Sequence, residues 1–99
     1  MAFVRIGQFK VLPDKTDELR VIYEKEAIPA IRAASGNVSA VLLQQCEAPD
    51  TFMAITVWRT KADAETYDKS GQAATMVNKI RYAFAGPPTL NTYDAYGVQ

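Results

Sequence analysis

Hydrophobic residues are most densely clustered in the middle of the chain. The run Phe52–Trp58 is almost unbroken and ends in the polar pair Arg59-Thr60, after which a helical pattern begins at once. A short apolar run bounded by polar residues is typical of a buried strand. Thr60 has a side chain suited to capping the helix that follows, with Asp63 at its third position as a weak capping-box partner. These residues predict a buried strand that leads into a capped helix.

The N-terminal third predicts a strand followed by an amphipathic helix. Phe3–Leu12 carries apolar residues on both faces of a strand, and Pro13-Asp14 ends it, with Asp14 as the predicted helix cap. Apolar residues then recur at steps of three and four, which is the spacing of one helical face: Leu19, Ile22, Tyr23, Ala27, Ala30, Ile31 and Ala34. Pro29 falls inside this pattern. We expect a kink or a break near Ala27, because proline lacks a backbone donor and clashes with the preceding turn.

The middle of the chain predicts an antiparallel hairpin. Gly36-Asn37 is a helix stop, since these residue types favour the conformation that ends a helix. Two apolar runs follow, Val38–Gln45 and Phe52–Trp58, on either side of the turn residues Glu47-Ala48-Pro49-Asp50. Runs joined by a short turn pair most simply as neighbouring antiparallel strands.

The C-terminal part predicts a second helix and a last strand. Lys61–Phe84 follows helical spacing, with an expected interruption at Ser70-Gly71, and Gly86-Pro87-Pro88 stops it. Thr89–Tyr96 is the last predicted strand. The order is therefore β-α-β-β-α-β. It closes most simply into a ferredoxin-like α+β fold, a four-stranded antiparallel sheet with both helices on one face.

The first and third predicted strands are apolar on both of their faces. Along the third strand two apolar sets alternate, Met53, Ile55 and Val57 with Phe52, Ala54 and Trp58. An antiparallel sheet with helices on one face should have a polar second face. Something must therefore cover the second face, and another copy of the same sheet is the simplest cover. We expect a homodimer through the sheet face.

The composition limits which binding partners and which cellular location we expect for this protein. A length of 99 residues with 48% hydrophobic content suits one domain over residues 1–99. Lys and Arg total 11, as do Asp and Glu, and no basic stripe interleaved with aromatics predicts a nucleic-acid partner. The longest apolar run is far shorter than the ~20 residues that span a bilayer. We expect no membrane segment, a mature N-terminus, and, from the lone Cys46, a cytoplasmic protein.

Two short motifs resemble a known family. The β-α-β-β-α-β order, the stretch ITVWRTKADAETYDKS (Ile55–Ser70) and the stretch AGPPTL (Ala85–Leu90) resemble the antibiotic-biosynthesis monooxygenase family of the dimeric α+β-barrel superfamily. The element order matches over nearly the whole chain, whereas the motif match depends on Trp58 with the helix start after it and on Gly-Pro-Pro. The resemblance implies two sheets facing each other in a dimer, with a pocket in each subunit between sheet and helices. It also implies cofactor-free oxygenation of aromatic polyketides or, in a separate branch, haem degradation.

The haem-degrading branch depends on three residues that this chain replaces. That branch has an Asn on the first strand, a Trp in the second helix and a His that binds the iron, where this chain has Gly7, Tyr67 and Val77. The chain contains no His, and imidazole is the usual neutral ligand of haem iron in such sites. We therefore expect no haem and no other cofactor. With one Cys and no carboxylates at ligand spacing, the sequence also predicts no metal site.

The absence of histidine also limits the chemistry that we can assign. Acid–base catalysis near neutral pH then needs a shifted carboxylate, lysine or tyrosine. Cofactor-free oxygenation requires fewer catalytic groups from the protein. It needs an electron-rich phenol that is held in a dry pocket, deprotonated and oriented towards oxygen. Five residues could stack on such a ring, hydrogen-bond its oxygens or stabilise a phenolate: Trp58, Tyr67, Tyr23, Arg32 and Arg81. The sequence assigns no catalytic residue.

Each of these candidates also has a structural interpretation. Trp58 suits a core or pocket wall, the two tyrosines suit the edge of the core, and the two arginines suit solvated helix surfaces. Three functions stay open: a cofactor-independent monooxygenase of an aromatic or quinol-like molecule, a non-catalytic dimer that binds a small ligand, and a polyketide cyclase or isomerase of the same superfamily. Fold alone does not decide between them. An enclosed cavity with convergent polar groups beside Trp58 would favour an enzyme.

Overall fold

Four antiparallel strands and the helices that cover one of their faces make up residues 1–98, which are the residues described by the structure, a computed structural model. The strands are β1 (Ala2–Lys10), β2 (Asn37–Gln44), β3 (Thr51–Trp58) and β4 (Thr89–Ala95). Their spatial order is β2-β3-β1-β4, and every neighbouring pair is antiparallel. The predicted ferredoxin-like fold is confirmed.

The connection from β1 to β2 is one helical path whose hydrogen-bond pattern changes along its length. It consists of a 3₁₀ turn (Pro13–Lys15), α1 (Thr16–Ile22), a π-helical turn (Tyr23–Ala27) and α2 (Ile28–Arg32). In the π-helical turn the backbone N–H of Ile28 donates to the carbonyl of Tyr23, five residues back. The irregularity expected near Ala27 is thus a π turn just before Pro29, and the helix continues through it.

The prediction that Asp14 caps this first helix is wrong. Asp14 lies inside the 3₁₀ turn, and within residues 1–98 no side chain caps the start of α1. The reason is Pro13, which stands at the first position of the turn, where its fixed φ and missing N–H suit a helical start. The helical path therefore begins before Asp14 rather than after it.

The connection from β3 to β4 contains two helices, α3 (Lys61–Lys69) and α4 (Gln72–Ile80), followed by a 3₁₀ turn at Arg81–Ala83. The Thr60 hydroxyl accepts a hydrogen bond of 3.1 Å from the backbone N–H of Asp63, so the predicted cap is confirmed. Gly71 separates the two helices with φ +83°, a left-handed conformation that glycine adopts readily. The expected interruption at Ser70-Gly71 is therefore also confirmed.

Large aromatic rings fill both ends of the helix-covered face of the sheet. Residues directly opposite each other on neighbouring strands point to the same face. Phe3 lies opposite Trp58 at one end of the central pair β1–β3, and Phe9 lies opposite Phe52 at the other. Each pair anchors its own buried cluster with the helices above it, and all four rings are buried. The core is therefore divided into a Trp58 cluster and a Phe52 cluster.

The opposite face of the sheet, which we call the open face, is also apolar. Its apolar residues are Val4, Ile6, Val41, Leu43, Met53, Ile55, Val57 and Tyr93, and the polar residues Gln8, Ser39 and Asn91 share the face with them. Val41, Leu43 and Tyr93 are 40%, 47% and 48% exposed. The helices lie on the other side, so nothing among residues 1–98 covers this face. In the same part of the chain, no helix is long and apolar enough to cross a membrane.

Candidate functional site

Small residues create a cavity in the middle of the helix-covered face. Between the two pairs of rings, β1 and β3 place Arg5 opposite Thr56 and Gly7 opposite Ala54. Gly7 and Ala54 leave space below the helices, and a cavity of about 300 Å³ lies there. The backbone conformation at residue 7 does not require a glycine, because its φ is not positive. A Cβ built on Gly7 would meet one atom within 4 Å, the Thr89 carbonyl oxygen at 3.8 Å. Its missing side chain therefore serves to keep this space open.

Larger hollows lie elsewhere on the molecule, and two of them have nearly twice this volume. One, of about 570 Å³, is lined by Arg59, Asn37 and the start of β1. The other, of about 560 Å³, surrounds the β2–β3 hairpin near Cys46. Among the described residues, neither hollow is lined by a tryptophan or a tyrosine. The cavity between sheet and helices has the mostly apolar wall and few polar groups that are typical of small-molecule sites.

Trp58 and Tyr67 form an aromatic wall of the cavity, and both were predicted from the sequence. The centroids of the two rings are 5.3 Å apart, and their planes are inclined by 35°. Trp58 is 1% exposed, and its indole Nε1 donates a 3.0 Å hydrogen bond to the Thr56 hydroxyl. This bond fixes the orientation of the indole. Trp58 is thus a core residue and a cavity wall at once.

Tyr23 and Tyr67 bring two phenol groups to the same cavity. Burial raises the pKa of Tyr23 to about 12, and the neighbouring Tyr67 adds to the shift. Burial also raises the pKa of Tyr67, with the Asp68 carboxylate acting in the same direction and Arg5 opposing it. Within residues 1–98 no side-chain nitrogen or oxygen is both fully buried and unpaired, so the two hydroxyl groups keep access to a partner. Both phenols are protonated at neutral pH and can donate or accept hydrogen bonds.

Arg5 is a cavity residue that the sequence analysis missed. Its guanidinium forms an ion pair with Asp68 of α3, and the two side chains are 17% and 43% exposed. Among the described residues that line the cavity, Arg5 carries the one charged side chain. The alternation of β1 contained the signal, because Arg5 has the same parity as Phe3 and Phe9 and so points into the apolar layer.

Arg32 and Arg81 do not line the cavity. The Arg32 Nη2 donates a 3.0 Å hydrogen bond to the carbonyl of Ala40 on β2. The Arg81 Nη2 donates a 3.2 Å hydrogen bond to the Asn78 side chain, one turn back along the chain. Both guanidinium groups are thus held by local partners. Of the five predicted contact residues, the structure brings together Trp58, Tyr67 and Tyr23.

The three positions compared with the haem-degrading branch, Gly7, Tyr67 and Val77, all line the cavity. Val77 stands where that branch has its iron ligand, and an isopropyl group cannot bind iron. The residues present therefore do not fit haem. Within residues 1–98 no group of three side chains that could hold a metal ion comes together either.

Comparison with known proteins gives one family and many similar folds. A family model described as antibiotic biosynthesis monooxygenase matches residues 2–79. No protein with a curated description matches the chain. One similar structure, from Nitrosomonas europaea, bears the name antibiotic biosynthesis monooxygenase. It superposes with a TM-score of 0.88 and 20% sequence identity, and the match covers 97% of this chain and 91% of that chain. A point mutant of SnoaB, a cofactor-independent oxygenase from Streptomyces nogalater, has a TM-score of 0.84 and 13% identity, over 98% of this chain and 95% of that one. A conserved protein from Methanosarcina mazei has a TM-score of 0.85 and 16% identity, over 94% and 91%.

Proposed function

The chain belongs to the antibiotic biosynthesis monooxygenase family, and from that premise we propose that it is a cofactor-independent monooxygenase of a small aromatic or quinol-like molecule. The observation that carries the proposal is the cavity between sheet and helices, which has an apolar wall, an indole fixed by a hydrogen bond and two protonated phenols. SnoaB, whose fold is similar, is named as a cofactor-independent oxygenase.

The proposed reaction needs no electron donor besides its substrate. A phenol with a free para carbon reacts with one O₂ to give a para-quinone and one water. The para C–H bond and the O–O bond break, and a C=O bond forms at the para carbon. One oxygen atom enters the ring, and the other leaves as water with the para hydrogen and the hydroxyl hydrogen. The ring is oxidised and O₂ is reduced, so electrons balance within the substrate pair.

Three side chains would perform the protein's part of this reaction. Trp58 would contact an aromatic ring through the part of its indole that reaches the cavity wall, while the rest of the indole is packed in the core. Tyr23 and Tyr67 would hydrogen-bond the ring oxygens and orient the para carbon, and such donors stabilise negative charge that develops during reaction. The mostly apolar wall would limit water around the reactive ring. Arg32 and Arg81 stay outside the proposal, because neither lines the cavity.

The open face would be covered by a second copy of the chain. An exposed apolar patch of this extent on a sheet usually marks an interaction surface. Its valines, leucine, methionine and isoleucines carry no charge, so an identical face is a complementary partner. A homodimer through the sheet face is therefore part of the proposal. Sedimentation equilibrium at micromolar concentration should give twice the chain mass.

Oxygen uptake tests the proposed reaction. Phenols with a free para carbon that quench the fluorescence of Trp58, the single tryptophan, are screened for O₂ consumption and for a quinone absorption band. A substrate should consume one O₂ per quinone formed without release of hydrogen peroxide. Bound phenols that never consume O₂ above the rate in buffer would contradict the proposal.

A non-catalytic ligand-binding dimer is the second candidate, and one observation favours it. No carboxylate or lysine side chain is among the described residues that line the cavity, so the wall offers no evident base. The same observation weighs against a cyclase or isomerase, which must move a proton. Tight binding of aromatic ligands with no turnover would favour this second function.

A further inference from the structure

The cavity combines one cation with a lack of anions. Among the described residues that line the cavity, Arg5 alone is charged. Its ion-pair partner, Asp68, lies on α3 and does not line the cavity. The Arg5 side chain is 17% exposed and that of Asp68 is 43% exposed, so the carboxylate is on the solvent side of the pair. An arginine brought into an apolar layer costs free energy unless its hydrogen bonds are satisfied. Its presence there calls for an explanation.

Asp68 uses only part of the hydrogen-bonding capacity of Arg5. The guanidinium has five N–H donors, and its Nη1 donates to one oxygen of Asp68. Within residues 1–98 no other hydrogen bond of the Arg5 side chain is formed. Because no fully buried side-chain nitrogen there is unpaired, the remaining donors are accessible to solvent or to the cavity. A planar guanidinium with a free edge matches a carboxylate or a phenolate oxygen, and charge-assisted bonds of this kind are the strong ones. Asp68 can thus hold Arg5 from outside while a ligand binds from inside.

The cavity also lacks a group that could ionise a neutral phenol. Tyr23 and Tyr67 retain their protons, since burial raises the pKa of each. The remaining described wall residues are apolar side chains, a glycine, threonines and a tryptophan. A phenol that enters with its proton therefore has no base beside it. A ligand that enters as a phenolate needs no base, and a phenolate or a ring carboxylate can pair with the one cation present.

We propose that Arg5 is the specificity-determining residue of the cavity, and that it selects an aromatic ligand carrying an anionic oxygen on the ring or on a ring carboxylate. The binding claim stands on the geometry of Arg5 and Asp68. Only the further claim that this ligand is a substrate rests on the proposed monooxygenase function. Neutral phenols of the same shape bind through ring contacts alone and bind more weakly.

The test compares an acid with its uncharged ester. The probes are 1-hydroxy-2-naphthoate and its methyl ester, and binding is followed at neutral pH by quenching of Trp58 fluorescence and by calorimetry. The wild-type protein should bind the acid about tenfold to a hundredfold more tightly than the ester, the range expected for a hydrogen bond to a charged group. Arg5→Met should remove that preference and leave the ester's affinity unchanged. Arg81→Met, the same change outside the cavity, should behave as the wild type.

Two further variants separate charge from folding. Arg5→Lys keeps the charge but loses the planar fork, so it should retain part of the preference for the acid. Asp68→Asn keeps a side-chain oxygen that can accept a hydrogen bond from Arg5 but removes the competing negative charge, so it should raise the affinity for the acid a few-fold, with no effect on the ester. If Arg5→Met fails to fold, Asp68→Asn and Arg5→Lys still decide the question. Equal binding of acid and ester by the wild type, or unchanged preference in Arg5→Lys and Asp68→Asn together, overturns the proposal.

Oxygen uptake in the same samples distinguishes this proposal from the proposed function. Arg5-dependent binding of the acid with no O₂ consumption by any ligand supports anion selection and contradicts the monooxygenase. Oxidation of neutral phenols at equal rates by the wild type and Arg5→Met contradicts anion selection and supports the monooxygenase.

Discussion

The two faces of the sheet are built from the same alternating strands but meet different surroundings. On the helix-covered face, rings fill both ends and small residues leave the centre hollow. On the open face, apolar residues continue across the strands, and nothing among residues 1–98 covers them. The helix-covered face gives up packing at its centre to make a site, while the open face keeps apolar surface that an association can bury.

Ile55→Arg breaks the open face and should have the largest effect. Ile55 is central on that face, opposite Ile6 on β1 and Val41 on β2. An unpaired buried charge costs about 3–5 kcal/mol, so the dissociation constant of the proposed dimer should rise at least about a hundredfold. Sedimentation equilibrium measures this change. Thr66→Arg, the same charge on the exposed surface of α3, is the control and should sediment as the wild type. A dimeric Ile55→Arg variant would mean that the open face is not the interface.

Gly7→Val fills the hollow centre of the helix-covered face. A Cβ at this position has only an ordinary contact, 3.8 Å to the Thr89 carbonyl oxygen, so the added side chain would extend into the cavity. Forcing a ligand into an overfilled site costs about 1–3 kcal/mol, so binding of an aromatic ligand should weaken about 5- to 150-fold while the melting temperature stays or rises. Gly86→Val is the control, because a Cβ at Gly86 meets nothing within 4 Å and lies outside the wall. Unchanged affinity in Gly7→Val would place the ligand elsewhere.

Trp58→Phe sharpens the contrast between the two ring clusters. Because Trp58 is fully buried and also walls the cavity, the variant should lose about 1–3 kcal/mol of unfolding free energy and bind an aromatic ligand several-fold more weakly. The matched change in the other cluster is Phe52→Leu. Phe52 is as deeply buried but does not line the cavity, so only stability should fall. Lost stability with unchanged affinity in Trp58→Phe would remove Trp58 from the site. Urea unfolding and calorimetry give the two quantities.

Tyr23→Phe tests the burial of a phenol beside the cavity, and its effect should be the smallest. The folded protein raises the pKa of Tyr23 from 10.0 to about 12, so the unfolded chain loses this proton at a lower pH than the folded protein does. The free energy of unfolding should therefore fall as pH rises above about 9, by up to about 1 kcal/mol by pH 10.5 from this group. Tyr23→Phe should lack that contribution, and Tyr96→Phe, at an exposed tyrosine, should keep it. Identical pH dependence in all three proteins would contradict the burial of the Tyr23 hydroxyl.

The sequence was sufficient for elements whose cause is local. The Thr60 cap, the break at Gly71 and the apolar alternation of Phe52–Trp58 depend on neighbours within a few residues, and each was predicted. The site depends on register, which is not local. That Gly7 faces Ala54, and that Arg5 reaches Asp68 on α3, follows from strand pairing and helix placement over long separations. The alternation of β1 places Arg5 on the helix-covered face and the family resemblance implies a pocket there, but hydrophobic periodicity does not encode these distances, so the ion pair with Asp68 and the small residues that form the cavity were not predicted.

The π-helical turn at Tyr23–Ala27 controls the angular phase of the first helical connection. Leu19, Tyr23, Ala27 and Ile31 follow one another at steps of four, and each such step drifts about 40° around an α-helix. Three steps would carry Ile31 about a third of a turn away from Leu19. The π turn takes up one extra residue, about 100° of rotation, and cancels most of that drift, so one stripe spans both ring clusters and passes over the cavity. Deleting one residue from the exposed stretch Glu24–Glu26 would therefore leave a regular α-helix with the same stripe towards the sheet, whereas inserting one there would turn Leu19 away from it.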